Sequence, residues 1–397
     1  MEREKEKESS DRMSVQKNKV TPLAVLGVSF LLTTGMSVSG TLPLIKEQLD
    51  LTQTQSELIG TVPSLAVFIF VLLSDSISTR IGMKQTVLLG LLFVTIGGTT
   101  PLWLPQTFTS ILIGRLILGM GFGLYNSLSV GYINALYQGK MRAKLLGFRN
   151  SFEAVGQMAL TFLAGYLLLF GWEYAYAIYF FALIIGVFFY FNVPQVDKVT
   201  HESNAKTRLT PLIMGTIVMA AMNVMVSIAI AVRYPTLAID LKGAGYNTSQ
   251  YLAIMPILGI AAGFCFEWLQ RLLGHRILYL AVIVNVISCL LIGLSSHSFV
   301  LLVVGLLISS IPVAWVLPYI FNHIDTVSVD SNPYMVTSFI FVGCNIGVFL
   351  SPVILRVLEL VTGVDSLRLP FVILSAMFAF MLISLMFYFN QKKKKNA

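Results

Sequence analysis

Long apolar runs alternate with short polar ones along the whole chain. A bilayer-spanning helix needs about 20 mostly apolar residues, and such runs lie at about Pro22 to Leu44, Leu58 to Ser78, Gln85 to Leu104, Phe108 to Leu136, Leu145 to Leu169 and Trp172 to Val193. After a polar segment from Gln195 to Thr210 they resume at about Pro211 to Ile239, Tyr251 to Leu273, Ile277 to Leu294, Phe299 to Asn322, Tyr334 to Leu358 and Pro370 to Asn390. The pattern predicts an all-α integral membrane protein with twelve transmembrane helices in two six-helix halves. The expected organisation is a cytosolic tail (1–19), a six-helix bundle (20–194), a cytosolic linker (195–210), a second six-helix bundle (211–390) and a basic tail (391–397).

Charge fixes the expected orientation. Arg80, Lys84, Lys140, Arg142, Lys144, Lys198, Lys206, Arg208, Arg271, Arg276 and Lys392 to Lys395 fall on one set of loops and tails, whereas the alternate loops hold only Lys46, Lys242 and Arg368. Basic residues concentrate on the cytosolic side of membrane proteins, so both termini are expected in the cytosol of a multi-pass protein of the plasma membrane. The loop from Asn322 to Pro333 carries His323, Asp325 and Asp330 without a Lys or Arg, and is read as a tolerated exception, with a regulatory contact as the alternative.

Composition narrows the function class. Only 12% of residues are charged, against about 25% in soluble domains. The net charge of +8 lies in tails and loops rather than in a basic stripe, so no nucleic-acid partner is expected. Residues 1–19 mix Glu and Lys without an apolar core or cleavage site, which argues against a signal peptide and for a disordered cytosolic tail. Cys265, Cys289 and Cys344 sit singly in apolar segments, and the four histidines have no metal-ligand spacing. No cofactor or metal is expected, no phosphate-binding Walker sequence occurs, and no nucleophile is paired with a base, which excludes enzyme chemistry.

Chemistry therefore has to be sought among polar groups at membrane depth, where an ionisable side chain costs about 2.5–3.5 kcal/mol on insertion scales and is kept for a task. Arg115 and Glu153 are such groups. Arg149 precedes Glu153 by four residues, the spacing that brings side chains together on one helix face. Residues near the midplane, where transporters built from repeats bind their solutes, add Tyr125, Asn126, Asn150, Asn223, Trp315, Tyr319 and Asn345 to a candidate substrate and proton pathway. Gly119, Gly121 and Gly123 superficially resemble a phosphate loop but lie inside a membrane helix, where small residues let helices approach closely.

A shift of 192 residues lays Asp75, Gly82 and Lys84 onto Glu267, Gly274 and Arg276, and Glu153 onto Asn345. This internal repeat supports two related halves. Three features together resemble the major facilitator superfamily: the turn Arg80-Ile81-Gly82-Met83-Lys84, Arg115 followed by Gly119 and Gly121, and Gly171-Trp172. The acid of the family's turn is displaced to Asp75, and the Gly-Pro pair found in the fifth helix of many antiporters is absent. The resemblance implies a monomeric secondary transporter that moves a small molecule through the lipid bilayer by alternating access. It also implies a cytoplasmic gate formed by Asp75, Arg80, Gly82, Lys84, Glu267, Gly274 and Arg276. Proton-coupled efflux of a drug or metabolite, with Glu153 carrying the proton, is the expected activity. The alternatives are uptake, symport or uniport of an organic anion bound by Arg115 and Arg149, and lipid translocation.

Overall fold

A computed structural model describes residues 20–196, 210–243, 245–324, 333–364 and 366–396. The amino-terminal tail, most of the linker, and Asp325 and Asp330 of the exceptional loop lie outside the described residues. Twelve apolar helical segments follow one another. In the first half they are α1 (Val20–Ser29 and Thr34–Gln48), α2 (Gln53–Ile81), α3 (Met83–Gly98), α4 (Phe108–Leu136), α5 (Gly139–Phe170) and α6 (Glu173–Asn192). The second half supplies α7 (Pro211–Lys242), α8 (Ser249–Leu273), α9 (Arg276–Gly293), α10 (Phe299–Asn322), α11 (Met335–Thr362) and α12 (Leu369–Phe387). The all-α layout matches the expectation from the apolar runs, with no strand among the described residues.

Local chemistry sets the ends of these helices. The Thr107 hydroxyl accepts from the Ser110 amide at 3.2 Å, and the Ser110 hydroxyl accepts in return from the Thr107 amide. This reciprocal box satisfies amide donors at the start of α4 that have no partner within the helix. Thr210 caps α7 in the same sense at 3.3 Å, with Pro211 in the first turn, where its missing N–H costs nothing. Gly82 and Gly274, equivalent in the repeat, end α2 and α8 with φ of +91° and +55°. Only glycine adopts that conformation without strain, so the two turns share a backbone device as well as a charge pattern.

Three segments depart from the simple runs. α1 bends by 48° between its two parts, where Thr33-Thr34-Gly35 interrupts the apolar sequence. α3 has 16 helical residues, about 24 Å of rise, and a short 3₁₀ turn at Thr100–Leu102 follows it. The first part of α6, Glu173–Phe180, is also 3₁₀.

The described residues fall into two compact units. One is built from the chain up to Val38 and from Val62–Glu202, the other from Ser39–Thr61 and Ser203–Ala397. In the first unit α4 is the centre, and its glycines face backbone. A side chain on Gly121 would collide with Gly90 on α3, and one on Gly119 would fall 2.8 Å from the Pro63 Cα on α2. The glycine stripe thus brings α4 against both neighbours. The second unit holds two apolar cores. One gathers Tyr234, Leu237, Leu302, Phe371 and Phe378, and the other gathers Ile213, Phe266, Trp315 and Ile340. The later part of α1 and the first turns of α2, within Ser39–Thr61, belong to this second unit.

Candidate functional site

Arg115 on α4 is almost fully buried. Its Nη1 donates to the Tyr179 hydroxyl at 2.9 Å, its Nη2 donates to the Gly35 carbonyl, and Tyr179 donates onward to the Thr34 carbonyl at 2.9 Å. Both carbonyls lie at the bend of α1, where the helical ladder is interrupted. The guanidinium supplies donors that the broken helix lacks, and side chains inserted into the ladder are a recognised cause of such bends. The Tyr176 ring lies 5.9 Å away, so Arg115 is enclosed by α1, α4 and α6.

A second polar group forms between α4 and α5. Arg149 Nε donates to Ser129 Oγ at 3.1 Å, Nη2 donates to Asn126 Oδ1 at 3.0 Å, and Nη1 donates to Asn150 Oδ1 at 3.3 Å. Glu153 stands one turn further along α5, with Oε2 3.7 Å from Arg149 Nη1. The i,i+4 contact expected from the spacing is present, but at 3.7 Å it is beyond hydrogen-bond length. Among the described residues the Glu153 carboxylate accepts no hydrogen bond, and it keeps 25% side-chain exposure. Asn126, Arg149, Asn150 and Glu153 are therefore brought together, and Arg115 lies in a separate set. Tyr125 is fully buried and meets Phe122 edge-on at 6.2 Å.

The candidates of the carboxy-terminal half are placed singly. Asn285 on α9 donates to Asn223 on α7 at 2.6 Å, with both side chains buried. Trp315 Nε1 donates to the Ala262 carbonyl on α8 at 2.9 Å, and Asn345 donates to Phe341 within α11 at 3.0 Å. Tyr319 stacks on His323 at 4.3 Å between ring centroids. Trp315 Nε1 and Asn345 Nδ2 are engaged within the protein, whereas Asn223 Nδ2 and Asn285 Oδ1 are buried without a hydrogen-bond partner among the described residues.

At the turns of the expected gate, Asp75 and Arg80 are exposed and Lys84 lies 5.0 Å from the Tyr190 ring. Glu267 pairs with Arg271 one turn away, on a surface where both are more than three-quarters exposed. Gly274 closes α8, and the exposed Arg276 begins α9. Among the described residues no group of three or more His, Cys, Asp or Glu could hold a metal ion.

The most deeply buried ionic cluster is one that reading the sequence missed. Arg233 on α7 binds Glu57 on α2 through Nε and, at 3.2 Å, through Nη2, while its Nη1 binds Glu359 on α11 at 2.8 Å and the Leu367 carbonyl at 3.2 Å. Arg233 and Glu57 are essentially inaccessible. The cluster extends from Glu359 to Arg356 at 3.2 Å, and from Glu57 through Gln53 to Lys46 and Thr236. A signal was present for Arg233, which lies inside the apolar run from Pro211 to Ile239 as plainly as Arg115 lies inside its own. Glu57 and Glu359 each fall one residue beyond an apolar run and so looked like loop ends. The helices themselves continue to Gln53 and Thr362.

The sequence profile of the Major Facilitator Superfamily matches residues 24–352. Several solved structures share the fold. The inward-open xylose transporter XylE from E. coli is 14% identical, covers 92% of this chain and 95% of its own, and has a TM-score of 0.72. The POT family transporter PepTSo is 11% identical, with 95% and 99% coverage and a TM-score of 0.75. The nucleoside transporter NupG is 13% identical, with 92% and 99% coverage and a TM-score of 0.75. No curated protein matches the sequence. With a profile that spans most of the chain and a fold shared from end to end, the protein is a multi-pass member of the major facilitator superfamily, a transporter of small solutes by alternating access and not an enzyme.

Proposed function

We propose that the protein is a proton-coupled exporter of a small, largely apolar organic solute, acting as a monomer in the plasma membrane with both termini in the cytosol. The observation that carries this reading is the asymmetry around Glu153. The three donor groups of Arg149 go to Ser129, Asn126 and Asn150, so the carboxylate beside it is not locked into an ion pair. Its proton affinity then depends on water access and on a loose 3.7 Å contact, both of which change as alternating access exposes first one side and then the other. Such a group can load a proton on one side and release it on the other.

The use of the other polar groups supports the apolar solute class. A site for a sugar or peptide needs many uncommitted donors and acceptors. Here Trp315 and Asn345 donate within the protein and Asn223 Oδ1 accepts from Asn285, leaving Asn223 Nδ2 as an uncommitted donor, a sparse polar set that favours apolar contact. The occupied donors of Arg149 and the enclosed position of Arg115 speak against an organic-anion carrier.

The Arg233 cluster lies within the second unit. It joins the first turns of α2 to α7 and α11, while α2 from Val62 onward belongs to the other unit. The direct test is purified protein in liposomes, a panel of lipophilic and polar solutes, and flux measured with and without an imposed pH gradient. Uphill movement of a lipophilic solute against proton flow supports the reading, and flux indifferent to the gradient contradicts it.

A further inference from the structure

Tyr125 on α4 is fully buried, and its hydroxyl has no hydrogen-bond partner among the described residues. A buried polar atom left alone is uncommon and calls for a reason. Loose packing is not that reason. A side chain on Gly90 of α3 would come within 2.9 Å of the Tyr125 Cδ1, and Phe122 meets the ring edge-on at 6.2 Å. The ring fills the space a glycine leaves open, so the hydroxyl is held where it stands.

The neighbouring helix carries the matching deficit, the Glu153 carboxylate that accepts no hydrogen bond among the described residues. Helix geometry brings the two groups to one level. α4 and α5 are joined by Tyr137 and Gln138 alone and run antiparallel, and the Asn126–Arg149 bond at 3.0 Å sets their register. One turn from that bond lie Phe122 on α4 and Glu153 on α5. A helical side chain leans towards the N-terminal turn of its own helix, so Tyr125 extends towards the level of Phe122 and hence of Glu153. Electrostatic interaction of Tyr125 with Glu153 and with Tyr179 agrees with that placement.

The other ionisable groups around the pair are Arg149 on α5, Arg115 on α4, and Tyr176 and Tyr179 on α6, while α1 contributes the Thr34 and Gly35 carbonyls. Tyr179 donates to Thr34, and Arg149 donates to Ser129, Asn126 and Asn150, so neither satisfies the carboxylate. Resting on the reading of Glu153 as the proton carrier, we propose that Tyr125 is its positioning residue, whose hydroxyl donates to the Glu153 carboxylate once that group has released its proton and water has left. Tyr125 keeps its own proton throughout. The bond favours the ionised carboxylate, and so sets the pH at which Glu153 loads.

The test is an infrared pH titration of the full-length protein in liposomes, which needs no solute. The carbonyl band of protonated carboxyl groups is followed with pH, and the component missing from Glu153→Gln belongs to Glu153. Losing a hydrogen bond to the charged form makes proton binding roughly tenfold tighter, so Tyr125→Phe should move the Glu153 midpoint up by about one unit. Replacing Tyr125 by 3-fluorotyrosine, whose hydroxyl is a stronger donor, should move it down. Opposite shifts from two side chains of nearly the same shape do not arise from packing, and the second variant keeps ring and hydroxyl if the first fails to fold. A midpoint unchanged in both would overturn the proposal, as would the absence of any titrating component assigned to Glu153. The reading beneath it fails on a different result, pH-gradient-driven accumulation that survives in Glu153→Gln.

Discussion

Arg233 Nη1 lies 2.8 Å from Glu359 Oε1, and the same guanidinium holds Glu57, so one buried cation binds carboxylates from two other helices. Two acids on one arginine would leave a net negative charge. Arg356, 3.2 Å from the second oxygen of Glu359, restores neutrality. The arrangement joins α2, α7 and α11 by charge rather than by shape alone.

Arg233→Met should strand Glu57 and Glu359 in a site closed to water. Removing one partner of a buried pair typically costs about 3–5 kcal/mol, so the variant should unfold at clearly lower temperature in detergent. Adding Glu57→Gln and Glu359→Gln should restore much of the loss, since replacing a whole buried cluster is often close to neutral. Thermal unfolding of the single and triple variants checks both statements. A single variant as stable as the parent would show that the cluster carries little energy.

Gly121→Val should disrupt the contact of α4 with α3, because any side chain at Gly121 meets the Gly90 backbone. Overpacking costs about 1–3 kcal/mol, and rigid backbone on the far side leaves little room to relax. Gly147→Ala has nothing within 4 Å and should be silent. Yield and monodispersity after purification separate the two.

Cysteine labelling should find Gly243→Cys and Gly245→Cys reactive from outside intact cells, and Lys140→Cys reactive only after permeabilisation. The basis is the distribution of basic residues between alternate loops. External labelling at Lys140→Cys would reverse the orientation.

At the inner turns, Arg80→Ala should slow turnover more than it weakens solute binding, as expected of a gate residue. Glu267→Gln should leave stability unchanged, because its pair with Arg271 is solvent-exposed and such pairs contribute little. Rates and affinities measured on the same liposomes distinguish a gate residue from a surface charge.

The sequence carried the helix count, the family and the Arg149–Glu153 contact, because apolar period, glycine spacing and i,i+4 geometry are local properties. It did not carry the Arg233 cluster. Glu57, Arg233 and Glu359 are 176 and 126 residues apart, and burial inside protein rather than lipid cannot be read from one segment. Arg115 was legible as unusual, yet its engagement with the bend of α1 depended on Tyr179 and Gly35, neither of which stood out in the sequence. Helix ends drawn at the first polar residue hid two acids that the longer helices bury.

The most direct measurement of proton coupling uses Glu153→Gln, which keeps the shape of the side chain and mimics a permanently protonated carboxyl. Purified variant and parent are reconstituted side by side, and solute exchange at equal pH is compared with accumulation driven by a pH gradient. The account predicts that the variant exchanges solute at a rate comparable to the parent and loses gradient-driven accumulation. Accumulation that survives intact in well-folded Glu153→Gln would contradict it and shift the search for the coupling group to Glu57 and Glu359.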